Sequence, residues 1–224
     1  MLLLPQPGTW LDVGYDEKDE ARKAGALWDP QAFLTGRWHA PPGSDALRRP
    51  EWAARPALPD LLPGEDRDFG GGLFVDLVPK SCWFVNARTN IAGRDWERVR
   101  RMVLGRAGCR CEACGWAPAA GAALTPLEAH ERWSYGSRGR VQELRRLICL
   151  CEDCHKSTHL GRTWKTSAVE GLAAEGHLAR VTGKSLAEVR DEYRRARDLC
   201  AWRSRSEWAL DLGILTAAGI GLLR

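Results

Sequence analysis

Two cysteine pairs and three histidines carry most of the chemistry legible in this chain of 224 residues. Cys111-x-x-Cys114 and Cys151-x-x-Cys154 have the spacing at which backbone amides cradle a metal thiolate. Together they form a closed tetrahedral set of the structural Zn²⁺ type. Zinc bound in this way can supply about 10–16 kcal/mol toward folding. One more cysteine stands two residues ahead of each pair, Cys109 and Cys149, so a six-cysteine cluster is conceivable. Cys149, inside the apolar run LICLC, reads instead as a small buried hydrophobe. Cys82 and Cys200 stand alone and read as structural.

A helix that starts at the second pair puts His155 and His159 one turn apart on one face, with Cys154 about 100° away from His155. A single knuckle of the retroviral type would need a cysteine at position 164, where Trp164 stands. The four cysteines therefore hold one ion and the histidines face a second place. His130, in LEAHERW, ends an alternating apolar run and offers a third imidazole. Three protein ligands with positions left open is the arrangement of a catalytic divalent metal; the plainer alternative is an ordinary pair of surface histidines on a helix. Arg94, Arg98, Arg100, Arg101, Arg106 and Arg110 crowd into seventeen residues, as either a phosphate-binding face or a solvated helix face. Arg98, Arg101 and Arg106, with Arg146, are the candidates for contacting nucleic acid.

Composition bounds the remainder. The formal net charge is only +4, so no global polycation argument for nucleic acid applies. The opening MLLLPQPGTW has neither the basic start nor the apolar length of a secretory leader, and ILTAAGIGLL is too short to span a bilayer. The expectation is a cytoplasmic protein without membrane attachment, in which eight cysteines point to metal rather than disulfides.

The elements that must position these residues fall into an α+β arrangement. Residues 9–43 read as a small α+β domain: a strand in TWLDVGY, a helix over DEKDEARKAGALWD, and a second strand in GRWHAPPG. Residues 44–72, rich in proline and glycine, read as a linker or an extended arm. A module over residues 73–165 follows. Its helix at Trp96–Leu104 carries Trp96, Val99 and Val103 on one side and is ended by Gly105 and Gly108. Residues 166–224 read as a helical extension, with capping boxes at Ser167-Ala-Val-Glu170 and Ser185-Leu-Ala-Glu188 and a stripe of Val189, Tyr193, Ala196 and Cys200. This extension could cover the core or mediate a homodimer.

Residues 96–160 resemble the HNH endonucleases of the ββα-metal fold. The resemblance lies in WERVRRMVLGRAG leading into CRCEACG, then LEAHE, then LICLCEDCHKSTH. It implies structural zinc on the four cysteines, and a Mg²⁺ or other divalent ion on His130, His155 and His159 that serves phosphodiester hydrolysis in DNA. The family's general base matches Glu131, and its middle residue, usually asparagine, matches Arg146. In a register shifted by one residue His130 is the base and Ala129 replaces a ligand. Glu131 could instead bind the ion, and Arg146 could contact the scissile phosphate or pair with Glu131. The N-terminal unit resembles a small uncharacterised domain of bacterial replication and conjugation proteins, through EKDEA, GALWDP and W-x-x-PPG. Its Trp10, Trp28 and Trp38 form either a base-stacking platform or most of a small core. Three functions stand: a metal-dependent DNA endonuclease, a silent nucleic-acid-binding module on the same fold, or a zinc-stabilised protein-interaction module.

Overall fold

The computed structural model describes residues 8–30, 32, 36–119, 127–136 and 138–223. The first unit is built on strand β1 (Thr9–Leu11), helix α1 (Lys18–Lys23), β2 (Leu27–Asp29) and β3 (Arg37–Ala40). The sheet is antiparallel in the order β1-β3-β2, with Trp10 opposite His39 and Trp28 opposite Trp38. The helix expected to reach Asp29 stops at Lys23. Gly25 turns the chain at φ +84°, a conformation open to glycine at little cost, and Leu27–Asp29 becomes a strand. Trp38 is buried and Trp28 leans against it, half exposed, at 5.5 Å between rings. Trp38 thus sits in the core, whereas Trp28 covers its edge.

Residues 44–72 pass along both units rather than across open solvent. Ala46 and Trp52 complete the first core, and Trp52 O accepts the Asp12 N–H at 2.9 Å. Leu58 and Leu62 enter the second core. Asp12, only 1% exposed, gathers Arg101 at 2.7 Å, Arg37 at 3.2 Å and Arg55 at 3.8 Å. Buried charge is tolerated only when paired in this way, so Asp12 fastens the first unit to the second.

The second unit opens with α2 (Ala87–Asn90) and α3 (Gly93–Arg106). Val99 and Val103 of α3 are fully buried. The helix begins three residues earlier and ends two later than expected, since Gly105 is helical and the left-handed turn comes at Gly108. Strands β4 (Leu127–Gly136) and β5 (Val141–Cys151) form an antiparallel hairpin with a bulge between Arg132 and Trp133. Residues 146–151 of β5 are all buried, as a strand covered on both faces requires. The chain then enters α4 (Glu152–Thr158), α5 (Leu160–Thr166), α6 (Ala168–Thr182) and α7 (Leu186–Arg203). Ser167 caps α6 by accepting the Glu170 N–H, and Gly183 ends it in the left-handed region. Ser185 and Glu188 form a complete capping box on α7, whose Val189 is fully buried. The C-terminal region is not purely helical: β6 (Ala209–Asp211) adds in parallel to β5 before α8 (Gly213–Thr216). A three-residue strand carries too little alternation to be seen in sequence. Among the described residues no helix is long and apolar enough to cross a membrane.

Candidate metal centres

Both metal-type clusters hang from one hairpin. Cys151 ends β5 and Cys154 lies in the first turn of α4; Cys111 and Cys114 come from the turn after α3. One ligand atom from each of the four lies within 4.8 Å of all the others, and Cys114 Sγ stands 3.7 Å from Cys151 Sγ. Four thiolates at the usual zinc–sulfur length would be about 3.8 Å apart around a tetrahedral ion. The set can hold a metal such as zinc. Cys109 and Cys149 stay outside it; both thiols are buried, and burial pushes Cys149 up to about 12.

The knuckle is held to the strand by Glu112. Its carboxylate accepts the Cys149 N–H at 2.7 Å, while its own N–H donates to Cys149 O at 2.8 Å. Arg67 and Arg146 donate to the same carboxylate at 2.8 and 3.1 Å. On the other side of the thiolates, His177 Nε2 of α6 lies 3.1 Å from Cys154 Sγ. An imidazole N–H there would donate to the sulfur and offset part of the thiolate charge.

The second cluster is His130 of β4, His155 of α4 and His159 at the end of α4. Its ligand atoms also lie within 4.8 Å of one another. The ring centroids are 5.3 Å (His130–His155), 4.9 Å (His130–His159) and 4.7 Å (His155–His159) apart, all edge to face. His130 Nε2 is buried with no hydrogen-bond partner, a condition that an ion would relieve. Burial, then the neighbouring His159 and the cation of Arg132, keeps His130 well below the usual imidazole range. Burial and His155 push His159 down to about 3. Both rings are thereby neutral, the form that binds a metal. His155 Nδ1 meets Glu128 Oε2 at 3.2 Å, and its side chain keeps 25% of its exposure. That hydrogen bond, against a smaller effect of burial, holds the Glu128 carboxyl below the usual range.

Two positions marked out by the HNH resemblance do not join this cluster. Glu131 follows His130 on a strand, so its side chain leaves from the opposite face. Its carboxylate accepts the Ala87 N–H at 2.8 Å, at the start of α2, and burial pushes it up to about 7. The pairing of Glu131 with Arg146 does not form either. Arg146 is bound to Glu112 and to Phe69 O, which makes it a clamp on the cysteine knuckle.

A family model described as a domain of unknown function (DUF5710) matches residues 9–53. A stretch of 54 residues, 24% of this chain, is 41% identical to the DNA primase TraC of Escherichia coli. The match covers 4% of the primase, so this chain spans a small part of that relative's length. No solved structure matches the chain. The matched domain extends past the expected boundary at residue 43 to Ala53, in keeping with Trp52 in the first core.

Three arginines of α3, Arg98, Arg101 and Arg106, are turned toward the protein, whereas Arg110 beyond the helix is exposed. The Arg106 side chain is 2% exposed and grips Glu65 with both terminal nitrogens at 2.6 Å. Arg101 is taken by Asp12, and Arg98 by Asp95 at 3.0 Å and Pro56 O at 2.8 Å. None of the three presents a free guanidinium to a phosphate; Asp95 lies one helical turn from Arg98, but the acidic partners of Arg101 and Arg106 lie far away in sequence, so spacing alone could not reveal them. The residues that sequence reasoning missed are Glu128, His177 and Arg132. Glu128 had a signal, since residues i and i+2 of a strand share a face and Glu128 precedes His130 by two. Arg132 shares that face as well, fully buried, with its guanidinium 4.2 Å over the Phe74 ring and a bond to Gly72 O. His177 lay in a helix with no pattern pointing to the thiolates.

Proposed function

We propose that residues 73–165 form an HNH-type, metal-dependent endonuclease module acting on DNA, with zinc on the four cysteines as its structural staple. The convergence of three buried or half-buried imidazoles beside an unpartnered ring nitrogen is the observation that carries this reading. The order of hairpin, cysteine pair and helix supports it. So does the likeness of the N-terminal unit to part of a protein named as a DNA primase. A divalent ion on His130, His155 and His159 would supply Lewis-acid stabilisation for phosphodiester hydrolysis. The chain contributes the three imidazoles, and Glu128, which orients the His155 ring as a carboxylate behind a ligating histidine does. The three-imidazole face leaves positions for water and substrate.

A second reading rests on Glu131 and Arg146. With the residues at the base and orienting positions bound to structural partners, the module could serve as a silent nucleic-acid binder. Supercoiled plasmid incubated with Mg²⁺, Mn²⁺ or Ni²⁺ separates the two. Nicking that disappears in His155→Ala, while the variant melts within a few degrees of wild type, supports the nuclease. Absence of cleavage with every metal, together with a gel shift at low salt, supports the silent binder.

A further inference from the structure

Several basic residues without an ion pair among the described residues lie away from α3. The turn between β4 and β5 brings Arg138 and Arg140 to the end of the hairpin opposite the cysteines, and β6 docks beside it. Arg140, Trp202, Arg205, Ser206 and Trp208 line a groove there of about 290 Å³. Trp202 keeps 55% of its surface exposed. Trp208 is held rigid: its indole N–H donates to Arg203 O at 2.9 Å and its ring meets Tyr135 edge-on at 5.1 Å. Tyr135 is in turn covered by the Arg203 guanidinium at 4.2 Å. Among the described residues no ion pair engages Arg138, Arg140 or Arg205, Arg203 lies within electrostatic reach of Asp76, and the groove lining contains no acid. This contrasts with Arg98, Arg101, Arg106 and Arg146, each neutralised by a carboxylate.

The band continues beyond the groove. Ser81 Oγ donates to Ser206 O at 2.8 Å, and Lys80 N–H to Ser204 Oγ at 3.0 Å. Two residues further on, Trp83 is 49% exposed with Lys165 Nζ 5.3 Å over its ring, and Phe84 is 85% exposed. Lys165 belongs to α5, which begins directly after His159. Unpaired cations interleaved with exposed aromatic faces thus run from the hairpin tip to the helix that follows the histidine cluster.

We propose that this groove and the Trp83–Lys165 pair bind single-stranded nucleic acid, with bases stacked on Trp202, Trp208 and Trp83 and phosphates on Arg140, Arg205 and Lys165. Stacking on exposed rings requires bases freed from a partner strand, and the cations follow the backbone whatever its sequence. A volume at the low end of small-ligand pockets suits one base at a time rather than a whole buried ligand. The inference rests on the nucleic-acid side of the proposed function, not on catalysis.

Fluorescence anisotropy of a fluorescein-labelled oligothymidylate of about 16 nucleotides at low salt tests it. The variants are the triple Arg140→Gly, Trp202→Ala, Arg205→Gln and, separately, His155→Ala. Arg140 has φ +49°, so glycine there relieves the backbone, and Trp202 and Arg205 are exposed, so the triple variant keeps its circular dichroism and melting temperature. Wild type and His155→Ala bind alike, and the triple variant binds at least tenfold more weakly. Its plot of log affinity against log salt is shallower by about 1.4 for the two charges removed. Equal binding by the triple variant, no binding by wild type, or a preference for duplex competitor overturns the inference. Oligonucleotide binding without plasmid cleavage leaves the groove standing and sinks only the nuclease; cleavage untouched by the triple variant, with its affinity also unchanged, sinks only the groove.

Discussion

The cysteine and histidine clusters are ligand sets of similar span on a shared hairpin, yet they are finished differently. The thiolate set is complete at four, braced by Glu112 on the knuckle and by His177 behind Cys154. Among the described residues the imidazole set stops at three, keeps part of His155 open, and has a carboxylate on only one ring. A closed set stabilises; an open one leaves room for a reaction. The same contrast separates the buried arginines of α3, which hold the scaffold, from the unpaired ones at the hairpin tip.

The sharpest way to break this comparison is to remove one ligand from each cluster. Cys154→Ala takes away a structural site of about 10–16 kcal/mol, so the module unfolds by circular dichroism. A chelator strong enough to strip zinc has the same effect. An intact fold in Cys154→Ala defeats the assignment of the cysteines.

Next in size is the scaffold behind both clusters. Glu65 accepts from Arg106 and from Leu147 N at 3.0 Å on β5, the strand that leads to Cys151. Breaking a buried pair from one side costs about 3–5 kcal/mol, so Glu65→Gln lowers stability and loosens both sites together. Burial raises the Glu65 carboxyl, but hydrogen bonds from Arg106 and Leu147 outweigh it and hold it below the ordinary 4.5. A depressed carboxyl adds stability above its unfolded pKa and loses it as pH falls through the folded one. Chemical denaturation from pH 6 down to about pH 3 therefore shows a steeper acid loss in wild type than in Glu65→Gln. Parallel curves would remove Glu65 from the acid response.

The smallest effect refines the open site alone. Glu128→Gln keeps the size of the side chain and removes its charge, so Mn²⁺ affinity measured by calorimetry falls about 10–100-fold. Zinc content per chain stays unchanged. A variant that loses zinc as well would show the two clusters to be one coupled centre.

The sequence carried a good deal of this arrangement. The cysteine spacing named the thiolate set, and the one-turn separation of His155 and His159 put them on one face. Ser185 and Glu188 announced the start of α7, and the apolar positions of α3 announced its buried side. All are short-range features, for which backbone geometry alone dictates who can meet. What failed was long-range. The HNH resemblance matches Glu131 to the general base, yet on the strand it faces away from His130, and the backbone of Ala87, forty-four positions away, takes its carboxylate. Arg106 looked like a phosphate contact until Glu65, forty-one positions away, took it.

Sequence by itself therefore determined the ligand types, the serine-capped starts of α6 and α7 and the α+β composition, because these depend on residues a few positions apart. Only the tertiary structure decided which charges are spent and which remain free. Asp12, Glu65 and Glu112 each reach across the chain to neutralise an arginine, since a buried cation must find its partner wherever the fold supplies one. At the hairpin tip the fold supplies none among the described residues, and there the charge of Arg140 and Arg205 is left facing outward beside Trp202.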